Sequence, residues 1–337
     1  MARASACEEE VKTAWLLFRF NWGVLGILSA AFAIAIGLAG FSINVGNLLF
    51  SLGFVIIYAA FAHANARSPA RRDPQVMFVL GATAQFVLIT VIMAPLTYVA
   101  AAANLPLQDA NLLALDRMLG LDGRAYVLVV NERPALAASL SYGYTLIRWP
   151  IFAIPVLLAA VHRYRHLEGF TLAFALALAV TTAISALVPA IGVYQQIGLD
   201  PAALSNIEPR AYLDGMRDLD PVRDGTLRHL DLFTLAGIVT FPSFHAASVV
   251  LYVWALWPVR WMRPIALVAN GAMLAWTPVD GGHYFIDLIA GIAVAVLAII
   301  AARRICRAVT LWLPELVART RYPQAATIPA ELNSVTG

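Results

Sequence analysis

The chain has 337 residues, of which 61% are hydrophobic and 13% are charged, and its mean hydropathy is +0.76. This composition lies far outside the range of soluble domains and predicts an integral membrane protein. The net charge of +3 comes from basic residues scattered in short loops without a stripe, so no nucleic-acid partner is predicted. Cys7 and Cys306 lie near opposite chain ends without metal-ligand spacing, which argues against a disulfide or a thiolate metal site.

Eight apolar segments follow one another along the chain and predict an all-α, polytopic transmembrane bundle. They are continuous and lack the period-two alternation of barrel strands. Between the third and fourth lies the amphipathic stretch "NLLALDRMLG" (111–120), which is predicted to lie in the membrane interface. Residues 322–337 are predicted to be a loose tail. The predicted spans are 15–40, 46–65, 76–103, 139–161, 169–193, 243–258, 262–279 and 284–302.

Short arginine-rich connections predict the orientation of this bundle. With eight spans, all four arginine clusters fall on one side, and the positive-inside rule assigns that side and both termini to the cytoplasm. The connections at 104–138, 194–242 and 280–283 then face outwards. A single lysine, Lys12, against many arginines favours a bacterial inner membrane. The clusters are Arg67, Arg71 and Arg72; Arg163 and Arg165; Arg260 and Arg263; and Arg303, Arg304 and Arg307.

Two polar motifs lie at the predicted outer ends of spans six and eight. The first, "FPSFHAAS", carries Ser243 and His245, and the second, "DGGHYFIDLIAG", carries His283 and Asp287. Four residues apart on a helix, His283 and Asp287 share a face, so the carboxylate can bond one ring nitrogen and leave the other free. Each motif alone is also an ordinary helix start. Three ionisable groups at one side of two nearby spans nevertheless favour a site, because such groups are costly there.

The two motifs together resemble a known family. "PSFH" followed by "HYFID", with the two histidines 38 positions apart, resembles the second and third signature motifs of the type 2 phosphatidic acid phosphatase (PAP2) superfamily. The third motif of its inositol phosphorylceramide synthase-like branch reads Thr, five residues, His-Tyr, two residues, Asp. Thr277, His283, Tyr284 and Asp287 are similar to that pattern, so the likeness is closer to this branch.

The resemblance covers about residues 76–302 and implies a six-helix catalytic core. We therefore divide the chain into an N-terminal segment with two additional transmembrane helices (1–75), a PAP2-like core (76–305) and a cytoplasmic C-terminal tail (306–337).

For the site, the resemblance implies a two-step displacement at phosphorus. His283 is the implied nucleophile, which forms a phosphohistidine, and Asp287 orients it and stabilises its positive charge. His245 is the implied acid for the departing oxygen and then the base for the acceptor. Ser243, with backbone N–H groups at the start of span six, is the implied holder of phosphate oxygens.

The phosphate charge needs a cation, and here the chain departs from the superfamily. The first motif, a lysine followed seven residues later by Arg-Pro, is absent, and Thr277 stands where an arginine precedes the nucleophile. Arg223 and Arg228, in the outer loop before "FPSFH", are the first candidates because a guanidinium can clamp phosphoryl oxygens. Arg148 is a third candidate because it falls inside span four, where an unpaired charge is costly.

The expected substrate is a phospholipid or lipid phosphate, and the acceptor is a lipid alcohol or water. The branch points towards transfer of a phosphoinositol-like head group, and lipid phosphate hydrolysis is the alternative. Neither a cofactor nor a metal is predicted, because His229 in a loop is a poor third ligand beside the other two histidines. A non-enzymatic membrane transporter is a less favoured alternative, because a transporter would show paired halves or broken helices and no such symmetry is found. The oligomeric state stays open.

Overall fold

The structure is a computed structural model that describes residues 2–67 and 73–312, with side chains for residues 8–67 and 73–311. Arg71, Arg72, the side chain of Cys7 and residues 313–337 of the predicted tail lie outside the described part. The regular secondary structure in the described ranges is helical apart from one parallel ladder, in which Ser42–Ile43 (β1) pairs with His229–Leu230 (β2). The predicted all-α class is confirmed.

The helices follow the chain order of the apolar segments, with short 3₁₀ turns at Tyr144–Ile147, Pro201–Ala203 and Arg260–Met262. The first half contains α1 (Ala2–Leu38), α2 (Val45–Arg67), α3 (Pro74–Ala102), α4 (Asp109–Met118), α5 (Gly123–Asn131), α6 (Pro134–Leu140) and α7 (Pro150–Ala160). The second half contains α8 (Tyr164–Leu187), α9 (Val193–Gln196), α10 (Arg210–Asp224), α11 (Phe244–Leu256), α12 (Arg263–Asp280) and α13 (Phe285–Trp312).

Local signals explain where several of these helices begin. Asp73 accepts a hydrogen bond from the backbone N–H of Gln75, and Pro74 occupies the first turn of α3, where a missing N–H costs nothing. Asp122 caps α5 in the same way by accepting from the N–H of Ala125. Ser243 caps α11, so one residue of the first motif is also a helix start.

Five described helices, α1, α2, α3, α8 and α13, are long and apolar enough to cross a membrane. A sixth span is formed if the pair of segments Pro134–Ile147 and Pro150–Ala160, bent by 70°, counts as one. The predicted span 139–161 is therefore broken, and Pro150, which lacks an N–H, lies at the break. The predicted span 243–258 is a helix of 13 residues, about 20 Å long, which is shorter than a bilayer core of about 30 Å.

The hydrophobic core runs along α8, which packs against α1, α3, α11 and α13. Aromatic rings fill its centre: Phe86 lies against Phe170 and Phe174, and Phe174 lies parallel to Tyr252. The most apolar windows of α3 and α8 are 67% and 56% buried, whereas those of α1 and α2 are 11% and 17% buried. The first two helices therefore lie at the periphery of the bundle.

One polar contact attaches α1 to the centre of the bundle. Glu168 on α8 is fully buried, and its Oε2 accepts a hydrogen bond of 2.8 Å from the side chain of Asn21. The same amide of Asn21 donates to the backbone carbonyl of Glu168 at 3.1 Å. Buried polar groups cost free energy unless they are hydrogen-bonded, so this pair fixes the position of α1 along α8.

The arginine-bearing helix ends gather at one end of the bundle. The N–H of Arg165 at the start of α8 donates to Glu10 on α1, and a ring nitrogen of His166 lies 3.2 Å from the carbonyl of Trp254 on α11. The guanidinium of Arg303 on α13 lies over the ring of Trp254. Trp254 and Arg303 lie in the C-terminal halves of α11 and α13. The two polar motifs lie at the first residues of these helices and therefore at the opposite end of the bundle.

Candidate active site

The second motif forms a buried acid and base pair at the start of α13. Nδ1 of His283 lies 3.2 Å from Oδ2 of Asp287, and the backbone N–H of Tyr284 donates to the same oxygen at 2.9 Å. Asp287 is fully buried and His283 is 4% exposed. Because the contact with the carboxylate uses Nδ1, the other ring nitrogen, Nε2, is the atom that can meet a substrate.

Gly281 leaves the space that the imidazole ring of His283 needs. A Cβ atom at this position would lie 2.6 Å from Cδ2 and 3.0 Å from Nε2 of that ring. Real Cβ atoms do not approach other atoms so closely, so any side chain here would displace the ring. The chain also turns at Gly282, whose φ of +63° is costly for other residues.

The first motif contacts the second through the backbone of Ser243. Its N–H donates to the carbonyl of Asp287 at 3.0 Å, and its hydroxyl accepts from the N–H of Ala246, which caps α11. Gly291, one helical turn beyond Asp287, packs directly on the carbonyl oxygen of Ser243. The two motifs, far apart in the sequence, therefore share one rigid junction between α11 and α13.

His245 lies in the first turn of α11 and stacks on an aromatic ring. The ring centroids of His245 and Tyr144 are 3.7 Å apart with an angle of 21° between the planes. Nε2 of His245 is buried and makes no hydrogen bond to any group in the described ranges. Tyr144 and His283 also line one small cavity together.

A large open cavity of about 990 Å³ reaches His245 and Tyr144 from outside the bundle. Three arginines line it, but two are already paired: Arg210 bonds Glu208, and Arg217 bonds Asp214 and Asp218. The third, Arg148, makes no side-chain hydrogen bond or ion pair with any described residue. Carboxylates of Glu208, Asp214 and Asp280, the amide of Asn206 and the hydroxyls of Ser141 and Thr145 complete its polar lining.

The structure brings Ser243, His245, His283, Asp287 and Arg148 together at this end of the bundle, whereas the side chains of the other predicted residues bond backbone carbonyls. Arg223 donates to the carbonyl of Leu105, and Arg228 donates to the carbonyls of Val222 and Leu227. Neither lines the large cavity. The hydroxyl of Thr277 donates to the carbonyl of Met273 within α12 and is fully buried. Nη1 of Arg223 is buried without a hydrogen-bond partner among the described residues, and the backbone carbonyl of Thr277 accepts from the N–H of Gly281 at 3.1 Å.

Sequence reasoning missed three residues that shape the site. Tyr144 carries no motif signal, since nothing in the sequence shows that it reaches His245. Asp109 and Asp116 belong to the amphipathic helix α4, and an acidic residue on such a helix is normally read as solvated. Both are buried instead, at 4% and 1% exposure, and bond the segment around His283. The many apolar residues that flank Asp109 and Asp116 in the sequence were the signal that could have indicated their burial.

Burial also changes the acidity of Asp116, which lies in the connection predicted to face outwards. Loss of solvation raises the pKa of its carboxyl above the usual range, and the hydrogen bonds from Phe285 and Ile286 oppose part of that rise. The two hydrogen bonds lower the pKa because both N–H groups stabilise the ionised carboxylate of Asp116.

The structure is a helical bundle with several helices long enough to cross a membrane, and it gathers two histidines and a carboxylate at one end. A family model of the PAP2 superfamily matches residues 110–301, more than half of the chain, and the chain belongs to this superfamily. Its members are phosphatases or phosphotransferases, which implies activity on lipid phosphates. No curated protein and no solved structure matches the chain. The synthase-like branch stays a prediction.

Proposed function

We propose that the chain transfers a phospho-head group, such as a phosphoinositol-like group, from a phospholipid to a lipid alcohol through a phosphohistidine. The observation that carries the proposal is the contact between Nδ1 of His283 and the buried carboxylate of Asp287. It fixes one tautomer and directs Nε2 away from the carboxylate. The family match supports activity at a lipid phosphoester, and the transfer is our extension of it.

In the first step, Nε2 of His283 attacks phosphorus and the bond from phosphorus to the lipid oxygen breaks. That oxygen leaves with the electron pair and takes a proton from Nε2 of His245. In the second step, His245 accepts a proton from the acceptor hydroxyl, whose oxygen attacks phosphorus. The bond from phosphorus to nitrogen then breaks and restores His283. Asp287 accepts the Nδ1–H bond throughout and stabilises the positively charged ring.

Arg148 is the cation that we assign to the phosphoryl oxygens. It shares the cavity with His245 and has no carboxylate partner in the described ranges, unlike Arg210 and Arg217. A free guanidinium offers two parallel N–H donors, a geometry that fits two phosphoryl oxygens. The start of α11, where backbone N–H groups lack helical partners, supplies further donors.

The large cavity has room for a lipid substrate. Its volume of about 990 Å³ falls in the range of pockets that bind whole organic ligands, and both transfer and hydrolysis need this room, so an experiment must separate them. Lipid phosphate hydrolysis remains the second candidate, because the family includes phosphatases. Purified protein given a labelled phospholipid should form labelled product lipid only when a lipid alcohol is added. Release of free head-group phosphate at the same rate without the alcohol would favour hydrolysis.

The intermediate is tested with a substrate whose leaving group needs no protonation, a nitrophenyl phosphodiester. The His245→Ala variant should release nitrophenolate in one burst and accumulate an acid-labile adduct on His283, because attack proceeds but release lacks its base. His283→Ala should form no adduct, and Asp287→Asn should react more slowly than the parent. Rapid quenching without acid, followed by mass spectrometry of the peptide with "DGGHYFIDLIAG", locates the adduct.

Two outcomes would overturn these assignments. An adduct on Ser243 or on His245 would place the nucleophile in the first motif. Turnover that survives in His283→Ala and disappears in excess chelator would instead favour a metal-assisted reaction. Among the residues described, no group of three or more His, Cys, Asp or Glu side chains is arranged to hold a metal ion.

A further inference from the structure

We infer that Asp116, on the amphipathic helix α4, is a positioning residue for the nucleophile: its carboxylate holds the first turn of α13 in place. The inference rests on the proposed function, because it concerns the orientation of the ring of His283 during attack. Asp116 itself does not touch the reacting atoms. It acts through the backbone of the segment that carries both His283 and Asp287.

Both carboxylate oxygens of Asp116 are used by this contact. Oδ2 accepts from the N–H of Phe285 at 2.9 Å, and Oδ1 accepts from the N–H of Ile286 at 2.8 Å. These N–H groups belong to the first turn of α13, where no helical carbonyl is available to them. A carboxylate is favoured at a helix N-terminus because it also meets the positive end of the helix dipole. Asp116 thus caps α13 from 169 positions earlier in the chain.

The capped turn is the one that sets the geometry of the His283 and Asp287 pair. Oδ2 of Asp287 accepts from the N–H of Tyr284 and lies 3.2 Å from Nδ1 of His283, so the ring angle depends on where residues 284–287 lie. Asp287 has no other side-chain hydrogen bond among the described residues that would hold it if this turn shifted.

A second carboxylate of α4 holds the same segment from the side. Oδ1 of Asp109 accepts from the hydroxyl of Tyr284 at 2.9 Å and from the N–H of Gly192 at 2.9 Å. The hydroxyl of Tyr284 also lies 3.1 Å from the carbonyl of Gly192. The two aspartates lie at opposite ends of α4, so one short helix fixes the residue after His283 and the first turn of α13. This arrangement explains why two acidic residues of an amphipathic helix are buried.

The test separates positioning from ordinary capping by measuring the first chemical step. His245→Ala protein serves as the parent, and the nitrophenyl phosphodiester is the probe. In this parent, Asp116→Asn should slow the maximal burst rate by about 10-fold to 100-fold, the scale of a small misplacement of reacting groups. The probe concentration that gives half of the maximal rate should stay within about twofold, since binding groups are untouched. The adduct should still form on His283.

Asp122→Ala is the control for the loss of a helix cap, since Asp122 caps the neighbouring helix α5 and makes no hydrogen bond to α13 in the described ranges. It should lower the melting temperature, because alanine cannot accept from the N–H of Ala125, but leave the burst rate unchanged. Tyr284→Phe is a second variant that removes the hydroxyl contacts to Asp109 and to the carbonyl of Gly192, and it should slow the burst by less than Asp116→Asn. It keeps the inference testable if Asp116→Asn fails to fold.

The inference is overturned if Asp116→Asn, or Tyr284→Phe where the former does not fold, keeps the burst rate of its parent within about twofold. It is also overturned if only the half-saturating concentration changes, because that result would place Asp116 in binding. Absence of both burst and adduct in the His245→Ala parent itself would overturn the phosphohistidine proposal, and this inference would fall with it. The parent measurement therefore separates the two failures.

Discussion

We propose a phosphate-binding role for Arg148 because its guanidinium has no partner among the described residues. Arg223 and Arg228, by contrast, donate to backbone carbonyls, although Nη1 of Arg223 is buried without a partner. Arg148 lies at the break before α7, is exposed to the large cavity and has no bond of this kind within the described ranges. A guanidinium held ready for an anion can stabilise the charge that develops on the phosphoryl oxygens.

Arg148→Ala should lower turnover by about 10²-fold or more, the usual loss when a transition-state donor is removed. Arg148→Lys should recover only part of it, because the ammonium lacks the planar fork. Arg263→Ala, which removes an arginine that lies over Trp257 at the other end of the bundle, is the control and should match the parent. Normal turnover in Arg148→Ala together with loss in Arg223→Ala or Arg228→Ala would return the clamp to the outer loop.

Residues with a local pattern could be predicted, and residues that act across the fold could not. The spacing of His283 and Asp287 follows from one helical turn, and the cap at Ser243 follows from a helix start. Asp116 and Tyr144 act through contacts with residues more than 100 positions away. Such contacts depend on how helices pack, and a single sequence contains no local signal for them.

At the scale of elements, the junction between α11 and α13 makes one site from two motifs. α13 approaches the start of α11 so closely that Gly291 packs on the carbonyl of Ser243. A glycine is needed there, because a Cβ atom would occupy the space of that oxygen. At the same junction, the N–H of Ser243 donates to the backbone carbonyl of Asp287. The distance between α11 and α13 therefore affects the geometry of the site.

Gly291→Ala should lower both the melting temperature and turnover, because the added Cβ overlaps the backbone of Ser243 and overpacking costs about 1–3 kcal/mol. This cost exceeds the roughly 0.5–1 kcal/mol that alanine gains over glycine inside a helix. Gly271→Ala on α12 is the matched control: nothing lies within 4 Å of its added Cβ, so the variant should be neutral or slightly more stable. Thermal unfolding in detergent checks both, and a neutral Gly291→Ala would contradict the tight junction.

The helices themselves could be predicted better than their role in spanning. Each predicted span overlaps a helical segment, because long continuous runs of apolar residues indicate helices in a membrane protein. Two of these helices differ from the predicted spans in length or shape. Helix α11 is short and packs inside the bundle, and the segment at 139–161 bends by 70°. Its bend places Arg148 at a cavity instead of in lipid. A hydropathy pattern does not contain this information, although Pro150 marks the position.

At the scale of the whole molecule, the two ends of the bundle differ in chemistry. One end gathers arginines of α8 and α13 around Trp254 and Glu10, and the other carries the motifs, α4, α10 and the β1–β2 ladder. We propose that the first end faces the cytoplasm of a bacterial cell and that the active site faces outwards, since positive charge is retained on the cytoplasmic side. The substrate then enters from the outer leaflet.

Single cysteines test this orientation in a background where Cys7 and Cys306 are replaced by serine. Ala203→Cys, at an exposed position between α9 and α10, should react with a membrane-impermeant thiol reagent added to intact cells. Arg260→Cys, at an exposed position between α11 and α12, should react only after the membrane is permeabilised. This expectation follows from the positive-inside rule, which places the arginine-rich end of the bundle in the cytoplasm. Equal labelling of both cysteines in intact cells would contradict the proposed orientation. Labelling of Arg260→Cys alone would show that the bundle is inverted and that the active site faces the cytoplasm.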